Sequence, residues 1–219
     1  MHAPRLPEAL QPCEHAVLDD EEVWEGLLVT GPVDVPRPNP EHVELSGCHL
    51  RGAQLTGCEL DRVSMVDVVF DDCELSGVVW QEARLSRVQF NRCRMSGFVA
   101  TQGTAEHVAF TDCKLDGANF RMSSWRTVDW VRCELPGADF ASAALKDVRI
   151  LASNLQGAVV SKVKLDGLKL HGSDLADIRG ADALRGAIIG SDQIISLAGS
   201  LFAAMGVSVD DEDDADEAT

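Results

Sequence analysis

The chain has 219 residues, 45% of them hydrophobic, and a formal net charge of −17, which fits one folded domain with terminal additions and excludes a chain too polar to fold. No run of eighteen apolar residues is present, so no membrane-spanning helix is expected. Seven cysteines, with no basic region followed by an apolar run over Met1–Gln11, fit an unexported chain with reduced thiols, and the expected location is cytoplasmic.

Residues 1–40 form the expected N-terminal arm and capping segment, with eight acids against two bases. Pro4, Pro7 and Pro12 make Met1 to Glu14 read as a loose arm. Over Val17–Gly31 two readings stand: a helix starting at Asp19 or Asp20 with acids in its first turn, or an irregular first coil suggested by Leu28 and Val29. Val33 to Pro40 is proline-rich and is expected to be an extended connector without a backbone ladder. Trp24, Leu27 and Leu28 are the candidate N-terminal cap, because an uncovered end of a repeat array would stack on another molecule.

Residues 41–190 are organised by a period that is neither two nor 3.6. From Leu45 onward every fifth residue is large and apolar with few exceptions, as in Leu50, Leu55, Leu60, Met65, Phe70, Leu75 and Trp80. A smaller residue sits two places before each, as in Cys48, Ala53, Cys58 and Val63. Over this lies a period of twenty, carried by glycine at 57, 77, 97, 117, 137 and 157 and by Cys73, Cys93, Cys113 and Cys133. Twenty is four fives, so the period predicts four-sided coils with a glycine corner where positive φ or close approach is needed. Coils spaced by about 4.8 Å pair their backbones as strands do, and about seven of them make a rod of roughly 34 Å.

Cys58-Glu59-Leu60, Ala118-Asn119-Phe120, Ala138-Asp139-Phe140 and Ser173-Asp174-Leu175 resemble the pentapeptide-repeat motif, Ala-Asp/Asn-Leu followed by two variable residues. The resemblance runs through about 27 consecutive repeats from Leu45 to Leu175, roughly 60% of the chain. It implies an all-β fold, the right-handed quadrilateral β-helix, here of about seven coils with a C-terminal α-helix. It implies far less about function, since members of the family do unrelated jobs.

Within the repeats, one coil departs from the pattern at Ala100, Gly103 and Ala105; either Trp80, Phe98, Phe120 and Trp125 fill the missing volume or the coil bulges. The coils hold twenty acids and seventeen bases, and Asp72, Arg92, Asp112 and Arg132 alternate in sign at spacing twenty, which predicts cross-coil pairing and no continuous acidic track. No basic stripe is evident, so no direct nucleic-acid binding is expected. The core cysteine column, Cys73, Cys93, Cys113 and Cys133, reads as packing, because a straight ladder is not a tetrahedral metal site. The six histidines show no metal-ligand spacing, and no nucleophile or phosphate-loop motif occurs. No catalytic residue, metal or cofactor is therefore assigned, and no enzyme is expected.

Residues 191–209 are the expected capping and dimerisation segment: a helix over Gln193–Met205 capped by Ser191 or Asp192, then a short strand Val207–Val209. Gln193, Ser196 and Ser200 form its polar face. Ile194, Ile195, Leu197, Leu201, Phe202 and Met205 exceed what covering one coil end needs, and they form the candidate dimer helix. Residues 210–219, rich in acid, are expected to be a disordered tail. The leading expectation is a rigid protein-interaction module, homodimeric through that helix. The alternative, implied by the resemblance, is a DNA-mimicking regulator or protector of DNA gyrase, a type II topoisomerase. The near-neutral coils and the long N-terminal segment depart from that subgroup.

Overall fold

Residues 1–37 and 39–208 are described by a computed structural model, and they form a four-sided parallel β-solenoid of about eight turns with a single C-terminal helix. The five-residue period works through a corner. In one coil, the second residue after each large one has positive φ: Gly57 (67°), Arg62 (56°), Asp67 (58°) and Asp72 (55°). At the glycine corner the Cys58 N–H donates to the Leu55 carbonyl at 3.0 Å, closing a tight turn with Gly57 at the third position, where an L side chain is disfavoured. The other corners hold L residues in the left-handed region, at a cost on the order of 1 kcal/mol each. Backbone bonds to the next coil hold them there, as from Asp72 N–H to Asn91 O at 3.0 Å.

Strands β1 (Gln11–Cys13), β2 (Ala16–Val17), β3 (Val23–Glu25), β4 (Leu27–Val29) and β5 (Val33–Asp34) build an irregular first turn. Regular coils follow with β6 (Glu44–Ser46), β7 (His49–Arg51), β8 (Ser64–Asp71), β9 (Arg84–Asn91) and β10 (Thr104–Thr111). Shorter pairs complete the run: β11 (Ser124–Arg126) with β12 (Asp129–Val131), β13 (Ala144–Lys146) with β14 (Arg149–Leu151), and lastly β15 (Lys164–Asp166). Register is one coil, so Met65 lies beside Leu85 and Phe70 beside Phe90. Identical positions therefore stack, and Phe70, Phe90, Phe110 and Trp130 form a ladder of nearly parallel rings with centroids 4.8, 4.7 and 5.3 Å apart. These separations match the strand spacing and suit stacked aromatic packing.

The departing coil keeps its register. Strand β10 pairs with β9 on one side and with β11 and β12 on the other, so there is no bulge. Volume is exchanged instead. Phe98 occupies the position that is small in neighbouring coils and Ala100 the position that is large, and Phe98 meets Trp80 edge to face at 5.0 Å. Trp125 from the next coil fills the space beside Ala105, leaving a void of only about 10 Å³. A Cβ on Gly103 would lie 2.7 Å from the Ala83 carbonyl oxygen, so this close approach needs glycine.

Three expectations for the amino-terminal segment are corrected or resolved. Val17–Gly31 is a coil, not a helix, and it raises the count from about seven turns to about eight. Val33–Asp34 is not a ladder-free connector but pairs with Ala16–Val17, and the Leu18 N–H donates to Asp34 O at 2.8 Å. The flanking prolines leave these two residues free to pair. The arm is not loose: Gln11–Cys13 is a strand, and the residues before it lie along the side of the rod, where the Arg5 N–H donates to Asp67 Oδ1 at 2.9 Å.

At the far end, a 3₁₀ turn at Ala181–Leu184 replaces the next side of the coil, and the Leu170 N–H finds the Ile188 carbonyl at 2.8 Å. A second 3₁₀ turn, Ser191–Gln193, leads into α1 (Ile194–Ala204). Gln193 is thus not on the polar face of the helix; it precedes α1 and is buried. Val207 and Ser208 are not strand, and Val209 with the acidic segment 210–219 lies outside the described residues.

Candidate functional site

The interior of the rod offers hydrogen bonds but no reactive groups. The column that includes Cys73, Cys93, Cys113 and Cys133 is buried, and each thiol donates to the carbonyl 23 residues earlier, at Leu50, Phe70, Phe90 and Phe110, over 3.4 to 3.5 Å. Ser173 continues the pattern, its hydroxyl donating to Ile150 O at 3.0 Å. Burial penalises the thiolate form at each of the four and so favours the protonated thiol. Burial raises Cys58 to about 11. These are protonated packing groups, poor nucleophiles and poor metal ligands. Among the described residues no three or more His, Cys, Asp or Glu side chains are placed to hold a metal ion. No helix there is long and apolar enough to cross a membrane.

The sides carry charge in pairs. Arg92 grips Asp72 through two bonds of 2.8 and 2.9 Å, and Arg132 grips Asp112 through two of 2.7 and 2.8 Å. Arg87 binds Asp67 in the same manner, and Arg149 binds the buried Asp129. The arginine bonds hold Asp67, Asp72 and Asp112 below the usual carboxylate range. Acid and base are interleaved by coil, so no continuous anionic stripe runs along these columns.

The ends differ from the sides. At the amino-terminal end Trp24 is buried beside Leu45 and donates from its indole to Val17 O at 3.2 Å. Leu27 packs on the core, whereas Leu28 is in register with the outward His49 and is half-buried. Leu18 and Val29, absent from the expected cap, are fully covered instead. For Val29 the signal was its spacing of five from Trp24, hidden because this coil is offset by 21 residues: Trp24 aligns with Leu45 and Val29 with Leu50.

At the other end Gln193 closes the hydrogen-bonded column. Its Nε2 donates to Leu170 O and Ser173 O, both at 2.6 Å, and its Oε1 accepts from the Gly190 N–H at 2.7 Å. A readable signal existed, because Gln193 falls twenty residues after Ser173 and takes the place of the next thiol or hydroxyl. Helix α1 then lays Leu197 and Leu201 toward the rod. Ile194 and Phe202 remain 58% and 44% exposed, Ile195 88% and Met205 72%. Beside them opens an apolar groove of about 370 Å³ lined by Leu184, Ile189, Leu197, Leu201 and Met205 among others. Of the six candidate dimer residues, two face inward and four face solvent.

The repeat is also recognised by comparison. A family model described as a pentapeptide repeat region matches residues 43–120 and again 83–160, together more than half of the chain. The chain belongs to the pentapeptide-repeat family. No curated protein matches it in a sequence search. Among solved structures of pentapeptide-repeat type, it is similar to QnrB1, a plasmid-mediated fluoroquinolone resistance protein, at 18% identity over 91% of this chain and 99% of that one, TM-score 0.39. A pentapeptide repeat protein of the Arabidopsis thaliana thylakoid lumen is 23% identical over 51% and 72% of the two chains, TM-score 0.40. HetL, involved in heterocyst differentiation regulation in the cyanobacterium Nostoc, is 18% identical over 78% and 91%, TM-score 0.24. These are likenesses of fold alone.

Proposed function

We propose that this pentapeptide-repeat protein is a rigid, non-enzymatic protein-interaction module that pairs with a second copy of itself through α1. The observation that carries the reading is the cluster of Ile194, Ile195, Phe202 and Met205, exposed together on a helix without charge. Such a patch on an isolated monomer is costly in water and marks an interface. A twofold pairing of the same face is the commonest closed solution. The filled interior supports a role played by surfaces, since small-molecule chemistry uses a concave pocket with convergent polar groups.

Sedimentation equilibrium tests the pairing. The expected species has twice the 23.6 kDa chain mass at tens of micromolar, and persistence of a 23.6 kDa species there overturns it. Phe202→Glu is expected to yield a monomer while changing fold stability by less than about 0.5 kcal/mol, because the side chain is solvent-facing. The paired charges on the sides support a general scaffold over a DNA mimic. A supercoiling assay with purified gyrase is expected to show no change at micromolar protein; inhibition or protection would reverse that preference and make a type II topoisomerase the partner.

A further inference from the structure

The corner that carries Gly26, Gly47, Asp67, Arg87 and His107 is a continuous column of left-handed residues, with φ of 64°, 60°, 58°, 53° and 57°. The amino-terminal arm lies along it. The Pro7 ring rests on the two glycines, and a Cβ on Gly47 would meet that ring at 3.1 Å. Further along, the Arg5 N–H donates to Asp67 Oδ1 at 2.9 Å. At the arm's start the His2 ring meets the His107 ring edge to face, centroids 4.5 Å apart and planes at 78°. Six residues thus cross several coils through three kinds of contact, each matched to a different rung of the column.

We propose that residues 1–7 are a displaceable strap, fastened where the His2 ring meets the neutral imidazole of His107 and released when His107 is protonated. The edge-to-face contact is attractive while the His107 ring is neutral, whereas a charged His107 ring gives up hydration wherever the arm covers it. The surroundings favour the neutral form. His107 Nδ1 is buried without a hydrogen-bond partner, so a ring carrying protons on both nitrogens leaves one of them unsatisfied. Burial first, then His2, the Met1 amino group and Arg87, depress the His107 pKa, and Glu106 alone among the facing charges opposes them. Asp67 stays ionised across the same range, since Arg87 holds it well below the carboxylate region, and it continues to accept from Arg5.

The sign follows from that depression. A base whose pKa is lowered by docking contributes fully to docking above its free value, about 6.5 for histidine, and the contribution is lost as pH falls through that value toward the docked one. Mild acid therefore loosens the strap and uncovers the glycine shelf and one oxygen of Asp67, the features that hold an extended, proline-bearing segment.

Hydrogen exchange of the Arg5 amide in the full-length chain reads the strap directly, since that N–H is bonded only while the arm is down. After correction for the intrinsic rate, protection in the natural sequence is expected to fall between pH 7.5 and 5.5 as His107 takes up a proton more readily with the arm up than with it down. His2→Phe combined with His107→Phe keeps two rings but no titration, and protection is expected to stay level. His107→Lys is expected to lower it at both pH values. Amides around Leu115 report whether the rod itself remains folded in each variant. An Arg5 amide unprotected at pH 7.5, equally protected at both pH values, or falling as steeply in the double variant overturns the proposal.

Discussion

At the amino-terminal end Leu18, Trp24 and Val29 are covered by the chain around them, whereas at the carboxy-terminal end Ile195 and Met205 stand mostly in solvent. Both ends face the same problem, because a coil without a neighbour exposes its core and its backbone edge. The first turn solves it with more backbone: β3 and β4 continue the ladder, and β1 lies over β4. Pro12 in β1 has no N–H to offer beyond it, which discourages another strand from adding there. The last turn is solved with side chains, through Gln193 and one helix face. A backbone closure leaves no apolar surplus, while a helix has a second face. The rod is consequently directional, covered at one end and carrying an exposed apolar helix face at the other.

A substitution in the shared body should disturb both ends. Leu115→Asp places a carboxylate without a partner in a fully buried column, and a loss of about 4 kcal/mol or more is expected, read as a collapsed melting transition. An unchanged melting midpoint would mean that the column does not point inward. Next in size is Trp24→Ala, expected to cost about 3 kcal/mol because it empties a large buried volume at the sealed end. Loss of amide protection confined to β6 would mark local opening, and the sealed end should then begin to associate; a variant that stays both protected and dispersed contradicts the seal.

Gln193→Ala is expected to cost about 1 to 3 kcal/mol, since two carbonyls lose their donor and the Gly190 N–H its acceptor. The measurement is helical circular dichroism on heating, where α1 should melt before the β-solenoid; simultaneous melting would show that the plug is dispensable. The smallest effect belongs to the sides, away from either end. Asp67, Asp72 and Asp112 have pKa values lowered in the folded chain, so their stabilisation is complete above the ordinary carboxylate range and is lost as pH falls through the lowered values. A shallow acid-side decline in melting midpoint is expected, flattened in the Asp72→Asn, Asp112→Asn double variant and weakened by salt because the Asp72–Arg92 and Asp112–Arg132 pairs are exposed.

The period of five and twenty determined the body of this protein without any coordinates: the four sides, the stacked Phe70, Phe90, Phe110 and Trp130, the buried cysteine column and the pairing of Asp72 with Arg92. Each coil there sees a copy of itself twenty residues away, so one rule in the sequence suffices for every contact. The departing coil was located by its sequence, which left filling and bulging both open; the unbroken register of β10 and the contact of Phe98 with Trp80 decided for filling. Only the tertiary structure decided the ends, where the copy is missing and contacts form between unlike segments. Trp24 to Leu45 runs at an offset of 21, Gln193 turns from an apparent helix-face residue into the last rung of an interior ladder, and Arg5 reaches Asp67 across 62 residues. No local periodicity encodes such pairings, for they depend on which surfaces the finished coils leave open.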